Sequence, residues 1–130
     1  MRQFLSAATL LVPSYDEGIS FYVGKLGFRL IEDTRLGDDK RWVVVAPRGA
    51  REAGLVLARA ASDEQRTAIE GQAGRRVVLF LRTDDLCRDY RRYCQAGVVF
   101  QEAPLEEPYG AVAVFRDPFG NKWDLIEPVR

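Results

Sequence analysis

The chain of 130 residues has no histidine. Histidine is the commonest metal ligand and the only side chain with an unperturbed pKa between about pH 5 and 8, so its absence removes whole classes of site. Ser-His-Asp and Cys-His triads, HExxH zinc sites and histidine proton shuttles are excluded within one chain. Metal sites of carboxylate, carbonyl or thiolate, carboxylate or lysine chemistry, and binding without proton transfer all remain open. Charge of one sign is also missing, because 19 Lys and Arg balance 19 Asp and Glu. With a sequence pI near 6.3 there is no field to hold a polyanion, and neither nucleic acid nor anionic membrane is an expected partner. No segment approaches the ~20 consecutive apolar residues that cross a bilayer. The N-terminal MRQFLSAATLLVP is broken by Ser6 and Thr9 and shows no good cleavage site, so a cytoplasmic protein is expected. Cysteine is scarce: Cys87 and Cys94 lie seven residues apart in one helical segment. Their Cα atoms would be about 10 Å apart, too far for a disulfide, so both are expected to be reduced, half-buried thiols.

What is present is enough for one globular domain with a core that needs no staple. Residues 4–12 form an apolar, strand-compatible run, Pro13 punctuates it, and Ser14 offers a helix cap. Apolar residues from Tyr15 to Leu26 recur at spacings of three and four, and Gly27 supplies a stop. Extended segments follow at residues 28–36, 41–46 and 55–57. After a short helix over residues 62–70 capped by Ser62, the order repeats. A strand at 76–81 precedes a helix at 85–96 capped by Thr83 or Asp84, and strands follow at 98–101, 111–115 and 122–127. On the second long helix Leu86, Tyr90 and Tyr93 share a face with Cys87 and Cys94, while Arg88, Asp89, Arg91 and Arg92 read as a solvated face. The turn DPFGN reads as structural: Asp117 caps, Pro118 presets φ, Gly120 permits positive φ and Asn121 tolerates it.

Laid on itself at an offset of 70, the chain pairs Leu11 with Leu81, Ser14 with Asp84, Gly27 with Gly97, Glu32 with Glu102, Val44 with Val114, and Leu55 with Leu125. The same order of elements at one offset indicates an internal duplication. The fold class is therefore α+β, with two tandem βαβββ modules at about 1–58 and 75–130 joined by a connector at about 59–74. Helices on one side of each sheet leave the other face to curve around a cleft.

The strings VPSYDEGISFYVGKLGFRLIED, TDDL and FRDPFGNKWDLIEP resemble the vicinal oxygen chelate superfamily of glyoxalases, bleomycin-resistance proteins and extradiol dioxygenases. That resemblance covers nearly the whole chain and implies paired βαβββ modules, a homodimer and a ligand cleft. In the enzymes of the superfamily, side chains on four cleft strands hold a divalent metal. Carried over, those positions fall on Ala7, on Val56 or Gly54, on Val77 or Val78, and on Asp124. Only Asp124 can ligate, whereas a catalytic divalent ion usually has at least three protein ligands, so no metal and no cofactor are expected. Glu127 does not help, since an odd spacing along a strand turns it away from Asp124 and makes it a strand-end charge.

Alternation gives candidate ligand-binding residues: Thr9 and Leu11 on the first strand, Trp42 of the RWVVVA strand, Phe80 if the register favours it, Tyr109 in the loop PLEEPYGA, and Asp124. Three functions follow. The cleft could bind a small organic molecule without turnover, as the drug-sequestering members do, with Asp124 orienting a cationic or hydrogen-bond-donating ligand. It could host a metal-independent lyase or isomerase with Asp124 as base. Or the chain could be a degenerate structural or interaction module.

Overall fold

The computed structural model describes residues 1–129. The chain forms two compact units, Met1–Ile69 and Glu70–Arg130. In the first, β1 (Ala7–Val12), helix α1 (Tyr15–Ile19) and a π-helical turn (Ser20–Lys25) precede β2 (Arg29–Arg35), β3 (Arg41–Ala46) and β4 (Gly54–Arg59). Helix α2 (Asp63–Ala68) and a 3-10 turn (Ile69–Gly71) follow. The second unit carries β5 (Val77–Arg82), α3 (Leu86–Gln95), β6 (Val99–Glu107), β7 (Gly110–Arg116) and β8 (Lys122–Pro128). The sheets have orders β1-β4-β3-β2 and β5-β8-β7-β6, each with one parallel pair and otherwise antiparallel. The expected α+β fold with tandem βαβββ modules is therefore present.

In the first unit Leu10, Val12, Val43, Val45, Leu55 and Leu57 are buried at alternate positions of their strands. Gly18 of α1 lies so close to Val12 and Leu57 that a Cβ there would meet them at 3.1–3.2 Å, which places α1 on this face. Ser14 caps α1 by accepting from the Glu17 amide. The single helix expected over 15–26 is α-helical only to Ile19 and then widens, the Leu26 amide donating to the Phe21 carbonyl. Phe21 and Leu26 are both buried, and a spacing of five keeps to one face in a π turn but leaves it in an α turn. Arg41 forks onto Asp33 at 3.0 and 2.6 Å and reaches Asp16 at 2.9 Å, tying the ends of β2 and β3 to α1.

The second unit is built around Phe115, which is fully buried between Trp123, stacked at 5.7 Å, and the rings of Tyr93 and Phe100. Helix α3 covers this face with Leu86 and Tyr93 buried. Its cap is Asp85, accepting from the Arg88 amide, rather than Thr83 or Asp84. The Thr83 hydroxyl is used one turn earlier, accepting from the Asp85 amide and donating to the Asp89 carboxylate. Three further expectations are corrected. Cys87 and Cys94 are free but exposed, because the buried stripe of α3 runs through Leu86 and Tyr93. Strand β6 extends to Glu107, taking in most of the segment read as a loop. It is an edge strand with two register shifts, and so tolerates Pro104. Glu127 is no free strand-end charge, since its Oε1 accepts from the Leu86 amide at 2.8 Å and satisfies an end group of α3.

The DPFGN turn works as expected at Asp117, whose buried carboxylate accepts from the Phe119 and Asn121 amides and from the Asn121 side chain at 2.8–2.9 Å. Gly120 has φ +94, whereas Asn121 does not enter the positive region. Replacing Asp117 by Ala strands these donors and is expected to cost about 3 kcal/mol in urea denaturation. Gly110 has φ +140, and a Cβ there would lie 2.3 Å from the Glu127 carbonyl oxygen, so Gly110→Ala should lower stability by at least about 2 kcal/mol in the same assay.

Candidate functional site

Strand β8 carries the site because its alternation separates two chemistries. Trp123 and Leu125 enter the core, while Asp124 and Ile126 occupy the face opposite α3. The neighbouring registers set out what surrounds them. Phe80 pairs with Asp124, Asp124 with Val114, and Val114 with Glu102, giving a cross-strand row Phe80, Asp124, Val114, Glu102. The next row is Arg82, Ile126, Val112, Leu105, and on the other side Lys122 pairs with Val77 and Arg116. The register of β5, left open by the sequence, is thus settled: Phe80 and Arg82 share the Asp124 face, and Leu81 is buried on the other. Phe80 is 67% exposed and Leu105 59%, whereas Val112 and Val114 are buried between them. Asp124 is half-buried.

Burial holds the Asp124 carboxyl above the usual carboxylate range, and the negative charge of Glu102 adds to the effect. Among the described residues neither carboxylate makes an ion pair, although Lys122, Arg116 and Arg82 belong to the same face. Beside Arg82 a shallow open depression of about 570 Å³ is lined by Arg82, Thr83, Asp84, Glu127, Pro128 and Val129.

The first sheet has the same arrangement with different side chains. Thr9 pairs with Val56, Val56 with Val44, and Val44 with Glu32, so Val56 holds the place that Asp124 has in the second sheet. Glu32 accepts from the Thr34 hydroxyl at 2.9 Å. Leu11 is half-buried on this face and Trp42, paired with Thr34, is 42% exposed. The offset of 70 holds for Glu32 with Glu102 and Val44 with Val114. It fails for Leu11 with Leu81, because Leu81 is a core residue and the counterpart of the buried Leu10.

Of the residues proposed from sequence, Thr9, Leu11 and Trp42 share the open face of the first sheet, and Phe80 and Asp124 are direct neighbours in the second. Tyr109 stands apart from Asp124. It occupies the β6–β7 turn, its carbonyl accepting from the Val129 amide at the far end of β8, and is 58% exposed. Glu102 and Arg82 also belong to the Asp124 face, and alternation alone does not point to them. The repeat had marked Glu102 as the partner of Glu32, which was the available signal.

A family model described as the Glyoxalase/Bleomycin resistance protein/Dioxygenase superfamily matches residues 5–125. The chain belongs to that superfamily. An uncharacterized protein of Shewanella frigidimarina is 52% identical over 98% of this chain and 95% of its own length. Among solved structures, UcmS2 is 34% identical with a TM-score of 0.85, covering 97% of this chain and 98% of that one. TnmS3, an antibiotic binding protein from Streptomyces sp. CB03234, is 33% identical with a TM-score of 0.81 over 98% of both chains. The metal of the superfamily's enzymes does not fit the residues here. Ala7 pairs with Gly54, and Val56, Val77 and Val78 offer no donor in either register, leaving Asp124. Among the described residues no three Asp, Glu or Cys side chains are grouped to hold an ion.

A carboxyl raised in the folded state favours folding at low pH and opposes it once pH rises past that value. Asp124→Asn should therefore stabilise the protein at pH 7 by less than about 1 kcal/mol, since Asp124 keeps solvent contact. The gain should vanish below the ordinary carboxylate range, and thermal melts of both proteins from pH 3 to pH 8 measure the difference.

Proposed function

We propose that the protein binds a small organic molecule without turnover, using the open face on which Phe80 and Asp124 stand side by side. The observation that carries this reading is that row: a largely exposed aromatic ring next to a half-buried carboxylate with no ion-pair partner among the described residues. An exposed ring offers stacking area, and a carboxylate held partly out of water gains from a ligand that donates a hydrogen bond or brings positive charge. The loss of donors at Ala7, Val56 and Val77 or Val78 supports binding over metal-dependent lyase or dioxygenase chemistry. The likeness to the antibiotic binding protein TnmS3 supports sequestration of a drug-like compound. Thr9, Leu11 and Trp42 are proposed as a second set of contacts on the first sheet, and Tyr109 as a contact at the end of the second. A cytoplasmic homodimer is the form in which we expect the protein to act, and sedimentation velocity tests the dimer.

The raised Asp124 carboxyl favours one further reading, a metal-independent isomerase or lyase in which Asp124 takes a proton. The exposure of Phe80 weighs against an inert module whose face is filled by its own side chains.

A thermal-shift screen of planar and amine-bearing compounds should yield ligands that raise the melting temperature and are recovered unchanged after incubation. Phe80→Ala should weaken their binding by up to about tenfold, the worth of one aromatic contact. A screen with no hit would remove the binding reading. A chemically altered ligand whose conversion stops in Asp124→Asn would replace binding by catalysis, and conversion that persists in that variant would exclude Asp124 as the base.

A further inference from the structure

The open face of the second sheet carries unpaired charge of both signs. Asp124 and Glu102 stand in one row and Arg82 in the next, and among the described residues none of the three has a hydrogen-bond or ion-pair partner for its side chain. Arg88, by contrast, is engaged by Asp84 and Asp89, and Arg41 by Asp33 and Asp16. With strands about 4.8 Å apart and a rise of about 3.3 Å per residue, Arg82 and Asp124 are diagonal neighbours with Cα atoms about 8 Å apart. The surface joining them is apolar, with Phe80 on one side and Ile126, Val112 and the exposed Leu105 on the other.

Lys122 and Arg116 are the other cations of this face. They occupy the opposite end, in one row with Val77 and the exposed Val99. The Arg82 end adds an adjoining depression to a cation and an apolar row. A guanidinium also presents paired donors that match a carboxylate, which an ammonium does not.

We propose that this face takes an amphoteric small molecule, its cationic nitrogen held by Asp124 and Glu102, its acidic group by Arg82, and its apolar body over Phe80 and Ile126. The proposal rests on the small-molecule binding reading and narrows it to one ligand class. The charge pattern disfavours a purely apolar ligand, which would leave three charged groups unused at the edge of the contact, and a simple amine, which would leave Arg82 unused.

Three probes of one shape separate these cases: 4-(aminomethyl)benzoic acid, whose ammonium and carboxylate are spaced to span the diagonal, 4-methylbenzylamine and 4-methylbenzoic acid. Binding to the full-length protein is followed by amide chemical shifts in NMR titrations at pH 7. The amphoteric probe should bind about tenfold more tightly than either singly charged one, as expected for one added charge-assisted contact. Arg82→Gln should reduce it to the level of the amine without changing amine binding, and Asp124→Asn should reduce it to the level of the acid. Lys122→Gln should have no effect. Shifts should centre on residues 80–82 and 124–126. Equal affinity for amine and amphoteric probe, or a loss caused by Lys122→Gln and not by Arg82→Gln, would overturn the amphoteric assignment and leave small-molecule binding standing. No shift with any of the three at millimolar concentration would overturn it too, and the compound screen then decides separately whether the face binds anything.

Discussion

The register of β8 is the constraint on which the second unit depends. The strand lies between β5 and β7, parallel to one and antiparallel to the other, and every second residue is committed to the core. Trp123 stacks on Phe115 and Leu125 is fully buried, so a slip of one position would exchange two core residues for Asp124 and Ile126. That would bury a carboxylate without a partner and expose an indole, which no local rearrangement could offset. The position of Asp124 beside Phe80 is thus fixed by packing on the other side of the sheet.

The two faces of β8 are also linked at its end. Glu127 belongs to the core side, where it receives the Leu86 amide at the start of α3. The strand therefore sets the site on one face and the entry of the helix on the other. Asp117 does the same for the turn between β7 and β8, holding both strands at the spacing that their pairing requires. In this unit the polar contacts of Glu127 and Asp117 at the ends of strands bracket an aromatic cluster around Phe115.

Much of this was legible in the sequence. RWVVVA coincides with β3 to the residue, Ser14 and Ser62 cap their helices, and the tandem βαβββ order follows from the repeat. Those features are local, because alternation, capping residues and glycine stops act within a few positions of themselves. The errors arose where packing and pairing, rather than local propensity, decide. The π turn answers to the burial of both Phe21 and Leu26, the cap at Asp85 to the use of Thr83 by Asp89, and the length of β6 to pairing with β7 across two bulges. Glu127 looked like a surface charge because its partner, the Leu86 amide, is 41 residues away. At the candidate site, Asp124 and Phe80 could be proposed from alternation. Their adjacency, and the presence of Glu102 and Arg82 around them, required the register of three neighbouring strands.

The equivalence of Val56 and Asp124 has a consequence for how such a protein changes. The rung they occupy exists twice, flanked by valine and glutamate in both sheets, yet one copy is aliphatic and the other acidic. The spacing between copies is 70 residues from Glu32 to Glu102 and from Val44 to Val114, but 71 from Thr9 to Phe80 and 68 from Val56 to Asp124, so the loops have drifted while the rungs stayed in place. Duplication has left selection with two similar sockets in one chain, and a change of side chain in one need not disturb the other. The scaffold can keep a working surface while it tries a new one.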